Sequence, residues 1–205
     1  KQHPNHPKVN IAANLVLDAH NQKEDYKAII RDGKWIVANK SIKDASLKQQ
    51  VSDIVQQAEM RSVQAQAGDF SNPEYASNLL KLARKYKGSS LGDQALYEAF
   101  TAFKAKKDPR AYESGEQLLL QHRTSKYAKE VVTAMGQMAL ITADFRRAAV
   151  YFEIYHERYS SDPDARELLL NAAKMRESMG DFKLAARNYK RLGDSDSAAR
   201  MDFLS

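Results

Sequence analysis

Ala143-Asp144-Phe145-Arg146-Arg147-Ala148-Ala149-Val150-Tyr151-Phe152 and Gly180-Asp181-Phe182-Lys183-Leu184-Ala185-Ala186-Arg187-Asn188-Tyr189 are two copies of one pattern, with their aspartates 37 residues apart. In each copy a turn residue and an Asp are followed by Phe, then by Ala four places after the Asp and an aromatic four places further on. Apolar residues three and four apart flank each Asp on both sides, which predicts a helix before it and a helix after it. An Asp at the start of the second helix can accept a backbone N–H and lies at the positive end of the helix dipole.

The pattern extends backwards along the chain. Lys107-Asp108-Pro109 lies 36 residues before Asp144, and Gly68-Asp69-Phe70 lies 39 before Asp108, with Ser71-Asn72-Pro73 as a short insertion. A fainter copy, Glu24-Asp25-Tyr26-Lys27-Ala28, precedes Asp69 by 44, so a longer first helix or linker absorbs the excess. A period of this size marks a repeat architecture, in which each unit hides its apolar face only against a neighbour. The reading is all-α, with about five helix-turn-helix units at approximately 9–40, 41–88, 92–125, 128–160 and 164–193 in a single array over 1–205. Pro73 and Pro109 fit early helical positions, where a missing N–H costs little. Ala148 and Ala185 let two helices approach closely, and Phe152 and Tyr189, one turn later on the same face, fill the space between neighbouring units.

Met135-Gly136, Asp144-Phe145, Ala148 and Phe152, with Gly180-Asp181-Phe182, Ala185 and Tyr189, resemble the tetratricopeptide repeat signature, and the likeness covers most of Val9–Ser197. Between units stand Tyr86-Lys87-Gly88-Ser89-Ser90, His122-Arg123-Thr124-Ser125-Lys126-Tyr127-Ala128 and Tyr159-Ser160-Ser161-Asp162-Pro163-Asp164-Ala165. These are similar to the Tyr-Pro-x-Ser-x-x-Ala linkers of bacterial periplasmic tetratricopeptide proteins related to the outer-membrane assembly lipoprotein BamD and the TolA-binding coordinator. The Pro of that linker is missing from two of the three. The resemblance implies a right-handed α-solenoid whose first helices line a concave, protein-binding groove. Carrying over its inner-face positions gives Asn14, Asp18, Ser62, Gln66, Tyr97, Thr101, Lys104, Thr133, Gln137, Lys174 and Glu177. The family's two-carboxylate clamp for chaperone tails needs paired Lys and Asn, whereas Ser, Thr and Gln stand at several of these places.

Composition agrees with helix throughout. The 205 residues are 43% hydrophobic and carry only eight glycines and five prolines. There is no cysteine, which excludes disulfides, thiolate metal sites and a Cys nucleophile and suits either a reducing or an oxidising compartment. No apolar run approaches the roughly 20 residues that a membrane span needs. The chain starts at Lys1 without a Met or a signal segment, so it is expected to be a piece of a longer array, with His3-Pro4-Asn5-His6-Pro7 as an inter-repeat linker and Ser195–Ser205 as the start of another helix.

The net charge is +6, but the basic residues alternate with acids at helical spacing, the pattern of solvated helix faces rather than of a nucleic-acid block. The clusters Lys81/Arg84/Lys85/Lys87, Lys104/Lys106/Lys107/Arg110 and Arg187/Lys190/Arg191 fall near expected helix C-termini, where the dipole favours cations. His20, His122 and His156 also fall near helix ends, and His3 and His6 lack the further ligands a metal would need. The tyrosines at 86, 127, 151, 155 and 159 are read as repeat interfaces. Asn39-Lys40-Ser41 fits a glycosylation acceptor without further support. Phosphate-loop, dinucleotide, nucleophile-elbow and zinc-protease motifs are not found, so the reading is non-catalytic and without cofactor.

The function expected from sequence is a protein-protein interaction scaffold that binds a peptide or partner helix, in a bacterial envelope complex at the periplasm or outer membrane. The alternatives are a cytosolic or nucleic-acid-linked regulatory repeat protein, and the helical accessory domain of a larger enzyme.

Overall fold

The computed structural model describes residues 8–66, 72 and 74–205. Among these residues the regular structure is eleven α-helices, and no strand occurs. The chain divides into two compact units, Lys1–Asp108 and Pro109–Ser205. The first holds α1 (Val9–Gln22), α2 (Tyr26–Ala38), α3 (Ala45–Gln64), α4 (Tyr75–Lys85) and α5 (Ser90–Ala105). The second holds α6 (Arg110–Gln121), α7 (Ala128–Ile141), α8 (Phe145–Arg158), α9 (Ala165–Ser178), α10 (Phe182–Leu192) and α11 (Ser195–Leu204). Within each unit every helix packs on the next in series.

One junction recurs. Glu24, Lys107, Ala143, Gly180 and Gly193 take left-handed backbone conformations with φ of 53°, 54°, 56°, 74° and 75°, and each is followed directly by an Asp. The N–H groups of Asp25, Asp108, Asp144, Asp181 and Asp194 then reach back to the carbonyls of His20, Phe103, Ala139, Arg176 and Tyr189 at 2.8–3.0 Å. This is the Schellman closure, which satisfies carbonyls that the ending helix leaves open. The next helix starts at once, because the carboxylates of Asp25, Asp144 and Asp194 accept the N–H groups of Ala28, Arg147 and Ser197 at 3.0–3.1 Å.

Asp181 departs from the expected capping role. Its carboxylate accepts from Arg146 at 2.9 Å and from Arg176 at 3.3 Å instead of from its own helix. Arg176 is only 4% exposed, and its charge-assisted bonds outweigh a neutral cap. The copy at Gly68-Asp69-Phe70 and the prolines at 4, 7 and 73 lie outside the described residues, and Pro109 stands immediately before α6.

The linkers also share geometry. The carbonyls of Tyr86, His122 and Tyr159 accept from the N–H groups of Ser89, Ser125 and Asp162 at 3.0, 2.9 and 2.9 Å. Three residues beyond each stands a small buried residue, Gly92, Ala128 or Ala165. At Gly92 a Cβ would lie 2.2 Å from the Tyr86 carbonyl oxygen, so only glycine fits that turn as built.

In the second unit Ala148, Ala149, Ala185 and Ala186 are at most 1% exposed, and the aromatic rings take the space they leave. Phe152 packs with Ala149 and with Ala172 of α9. A Cβ on Gly136 of α7 would stand 2.5 Å from the Phe152 ring, so that ring and that glycine are fitted to each other. Tyr189 packs with Leu169 and Ala173 of α9 and with Ala198 and Met201 of α11. Side chains one module apart also meet, with Tyr151 donating to Glu116 (2.8 Å), Asn188 to Glu153 (2.8 Å), Arg146 to Asp181 (2.9 Å) and Arg191 beside His156 (3.1 Å). All four pairs are separated by 35 residues, close to the sequence period.

Candidate protein-binding cleft

In the first unit the apolar stripes of three helices share one core, with Ala13 and Leu17 of α1, Ile29 and Ile36 of α2, and Leu47, Val51, Val55 and Ala58 of α3. Gly33 allows α2 to press on α3, since a Cβ there would meet the Val55 side chain at 2.3 Å. Asn10 of α1 donates to Asp44, the capping residue of α3, at 2.8 Å and ties the starts of these helices together.

Further along both helices lies a cleft of about 770 Å³. Leu17, Ile29, Ala58, Ile54 and Tyr26 supply its apolar surface. One rail is Asn14, Asp18 and Asn21 of α1, at i, i+4 and i+7, and the other is Asp53, Gln57 and Arg61 of α3, at i, i+4 and i+8. Both spacings put the three residues on one helical face. Glu24, held in its left-handed turn by the α1–α2 junction, completes the lining. The volume falls in the range of sites that take ligand-sized groups, and the pairing of apolar surface with a few polar side chains is what such sites use.

Of the inner-face residues expected from the sequence, Asn14 and Asp18 line this cleft. Ser62 and Gln66 lie later on α3 and just beyond it, and Gln66 is engaged by Asn78 at 3.5 Å and, through its carbonyl, by Asn72 at 3.0 Å. Tyr97, Thr101 and Lys104 share a face of α5 and are half-buried, with the Lys104 ammonium 5.6 Å from the centre of the Phe100 ring. Of the residues in the second unit, Gln137 and Lys174 are exposed, while Thr133 donates to the Lys129 carbonyl at 2.9 Å. Glu177 accepts from Tyr189 at 2.7 Å and from Arg200 at 2.8 Å, joining α9 to α10 and α11. Burial and the bond to Glu177 push the Tyr189 hydroxyl up to about 12, so it stays a donor. Asn21 of α1 and Asp53, Gln57 and Arg61 of α3 were not foreseen; for the last three, their period-4 polar spacing on α3 was the available signal.

Charged residues elsewhere in the first unit serve to lock helices. Glu59 of α3, 9% exposed, is reached by Lys34 of α2 at 2.7 Å, Lys85 of α4 at 2.5 Å and the Tyr86 hydroxyl at 2.9 Å. Burial alone would raise its carboxyl, but the bonds from Lys34, Lys85 and Tyr86 together hold it below the usual carboxylate range. Glu98 of α5 gathers Gln64, Gln94 and Tyr75 at 2.9, 2.9 and 3.2 Å. In the second unit Arg176 forms a two-pronged pair with Glu153 at 3.0 and 3.1 Å, the geometry in which guanidinium and carboxylate bind best.

The remaining sequence candidates have structural places. Tyr86, Tyr151 and Tyr155 sit in helix interfaces, and burial together with the Glu116 bond pushes the Tyr151 hydroxyl far up. His20, His122 and His156 lie at the C-terminal ends of α1, α6 and α8, as the helix-end reading expects. His20 pairs with Asp32 across α1 and α2 at 3.0 Å, while burial and the neighbouring Arg191 push His156 down, which disfavours a cation there. His3 and His6 lie outside the described residues. Arg84 and Lys85, Lys104, and Lys190 and Arg191 occupy last turns of their helices, as their dipole reading expects.

Against known proteins, the chain matches no family model and no curated sequence. Among the described residues no helix is long and apolar enough to cross a membrane.

Proposed function

We propose that this chain is a non-catalytic scaffold of the tetratricopeptide type, with the right-handed solenoid that type implies, and that it binds a peptide or helix of a partner protein in the cleft between α1 and α3. The observation that carries the reading is the cleft itself, an apolar floor between two polar rails. The repeated Schellman-Asp junction and the 35-residue side-chain pairings support the repeat part of the proposal, because a stack of equivalent modules brings equivalent positions together. A helical groove of this kind takes an extended segment or an amphipathic helix through a few anchors. The linker resemblance favours a bacterial cell-envelope complex, periplasmic or associated with the outer membrane, as the setting.

The test is to pan a random peptide library displayed on phage against the full chain and to counter-screen on Asn14→Trp/Gln57→Trp. Both positions are exposed, so the added indoles fill the cleft without entering the core. Enriched clones are expected to lose binding to the double variant. Failure to enrich, or equal binding to both proteins, overturns the proposal.

A further inference from the structure

Among the described residues that line the cleft, three carboxylates, Asp18, Glu24 and Asp53, stand with a single cation, Arg61. This runs against the chain as a whole, whose net charge is +6. The acids that stabilise the fold are met by partners from the protein. Glu59 has Lys34 and Lys85, Asp32 has Arg31 and His20, and Asp44 has the Leu47 N–H and Asn10. The side chains of Asp18 and Glu24 make no such bond among the described residues, and Asp53 takes only the neutral Gln49 amide at 3.0 Å. Ionised carboxylates beside apolar surface lose water when that surface is covered, and such a loss is offset best by a covering molecule that brings cations. An acidic occupant would add like-charge repulsion to that desolvation.

We infer that the occupant of the α1–α3 cleft is a basic peptide segment, with lysine or arginine set against Asp18, Glu24 and Asp53 and an apolar side chain seated on Leu17, Ile29 and Ile54. The inference rests on the binding proposal above and adds the chemistry of the ligand. The side-chain amides of Asn14, Asn21 and Gln57 both donate and accept, so they can pair with the backbone of that segment whatever its side chains are. The amides thus supply affinity, and the carboxylates supply selection. Because the whole protein is positive, long-range steering works against a basic ligand. A preference for one therefore has to arise locally.

The experiment uses two fluorescein-labelled synthetic peptides, one alternating lysine with leucine around a single tryptophan and its counterpart with glutamate for lysine. Fluorescence anisotropy against the full chain at low salt is expected to show at least about tenfold tighter binding of the lysine peptide, narrowing as salt screens the charges. Asp18→Lys/Asp53→Lys, both at exposed positions, is expected to abolish or reverse the preference, with thermal melting reporting that the fold is kept. Glu167→Lys, an exposed acid of α9 outside the cleft, is expected to leave it unchanged. Equal affinity for the two peptides, or a lysine preference that survives the Asp18/Asp53 exchange, overturns the inference. Library clones that need the cleft yet show no excess of basic residues would sink the charge selection and leave the scaffold reading standing. Absence of any cleft-dependent clone would remove both.

Discussion

The left-handed junction can be tested at two equivalent places whose residues differ. Ala143 and Gly180 both precede a module's Asp, both are exposed, and their φ values are 56° and 74°. An L-residue in this region costs roughly 1–2 kcal/mol, whereas glycine enters it freely. Against that, glycine makes the unfolded chain more flexible, which costs about 0.4–1 kcal/mol. Ala143→Gly should therefore stabilise by about 0.5–1 kcal/mol. Gly180→Ala should destabilise by a similar amount, and the effect is purely one of backbone, since a Cβ at Gly180 meets nothing within 4 Å. For a unit of this size such changes move the melting temperature by about 2–6 °C, upward for Ala143→Gly and downward for Gly180→Ala. Thermal unfolding followed by circular dichroism, with urea titration to check an unaltered m-value, measures both. If Ala143→Gly lowers stability as a glycine inside an ordinary helix does, or if Gly180→Ala has no effect, the junctions are not equivalent and the repeat argument loses its geometric basis.

Ala148→Leu and Ala185→Leu each force a larger side chain into a crossing that is 0% exposed and should cost about 1–3 kcal/mol; unchanged melting of both would contradict the close packing of α8 and α10. Gly92→Ala improves helix propensity by about 1 kcal/mol but drives a methyl into the Tyr86 carbonyl, so urea titration should show a net loss of about 1–2 kcal/mol. Asp32 is held down to about 2, chiefly by the Arg31 hydrogen bond, against burial, which raises it, and with a further bond from His20. Because this folded-state value is depressed, its contribution is fully present above the ordinary carboxylate value and fades as pH falls toward about 2. Urea titrations across that acid window should show a smaller fall in stability for Asp32→Asn than for the unaltered chain, and parallel curves would refute the assignment.

The all-helical architecture was legible because turn residue, Asp, Ala and aromatic recur at fixed offsets, and each has a local reason to be there. Asp25 and Asp144 cap as their positions suggest. The left-handed conformation of Glu24, Lys107 and Ala143 was not legible, since nothing in a glutamate, lysine or alanine announces it; the following Asp and the Schellman bond impose it. Asp181 was misread for a different reason. Its carboxylate role depends on Arg146, 35 residues away, and on the buried Arg176 of the preceding helix, neither of which a local pattern weighs. Of the cleft's lining residues, two were among the positions expected from sequence. Asn14 and Asp18 followed from the family register, but the α3 rail did not, because α3 runs for 20 residues and the module mark at Asp69 sits beyond its end. The inner-face positions expected on α3 were Ser62 and Gln66, while the polar residues that line the cleft from α3 are Asp53, Gln57 and Arg61.

Why the second unit holds one register, when half of its buried apolar residues are alanines, follows from its polar pairs. Alanines at Ala148, Ala149, Ala172, Ala173, Ala185 and Ala186 permit close approach but distinguish poorly between neighbouring registers, because a small smooth surface slides at little cost. The pairs Glu116–Tyr151, Glu153–Asn188 and Arg146–Asp181 are directional, and a slip of one residue would break all of them together. Arg176 strengthens this selection, since a shifted helix would leave its nearly buried guanidinium without Glu153, at a cost of about 3–5 kcal/mol. Replacing Arg176 and Glu153 together by leucine and methionine should therefore retain much of the stability while loosening the register. Hydrogen exchange across α8–α10 would then rise even where the melting temperature does not fall, whereas unchanged exchange would show that the aromatic rings of Phe152 and Tyr189 suffice to fix the stack.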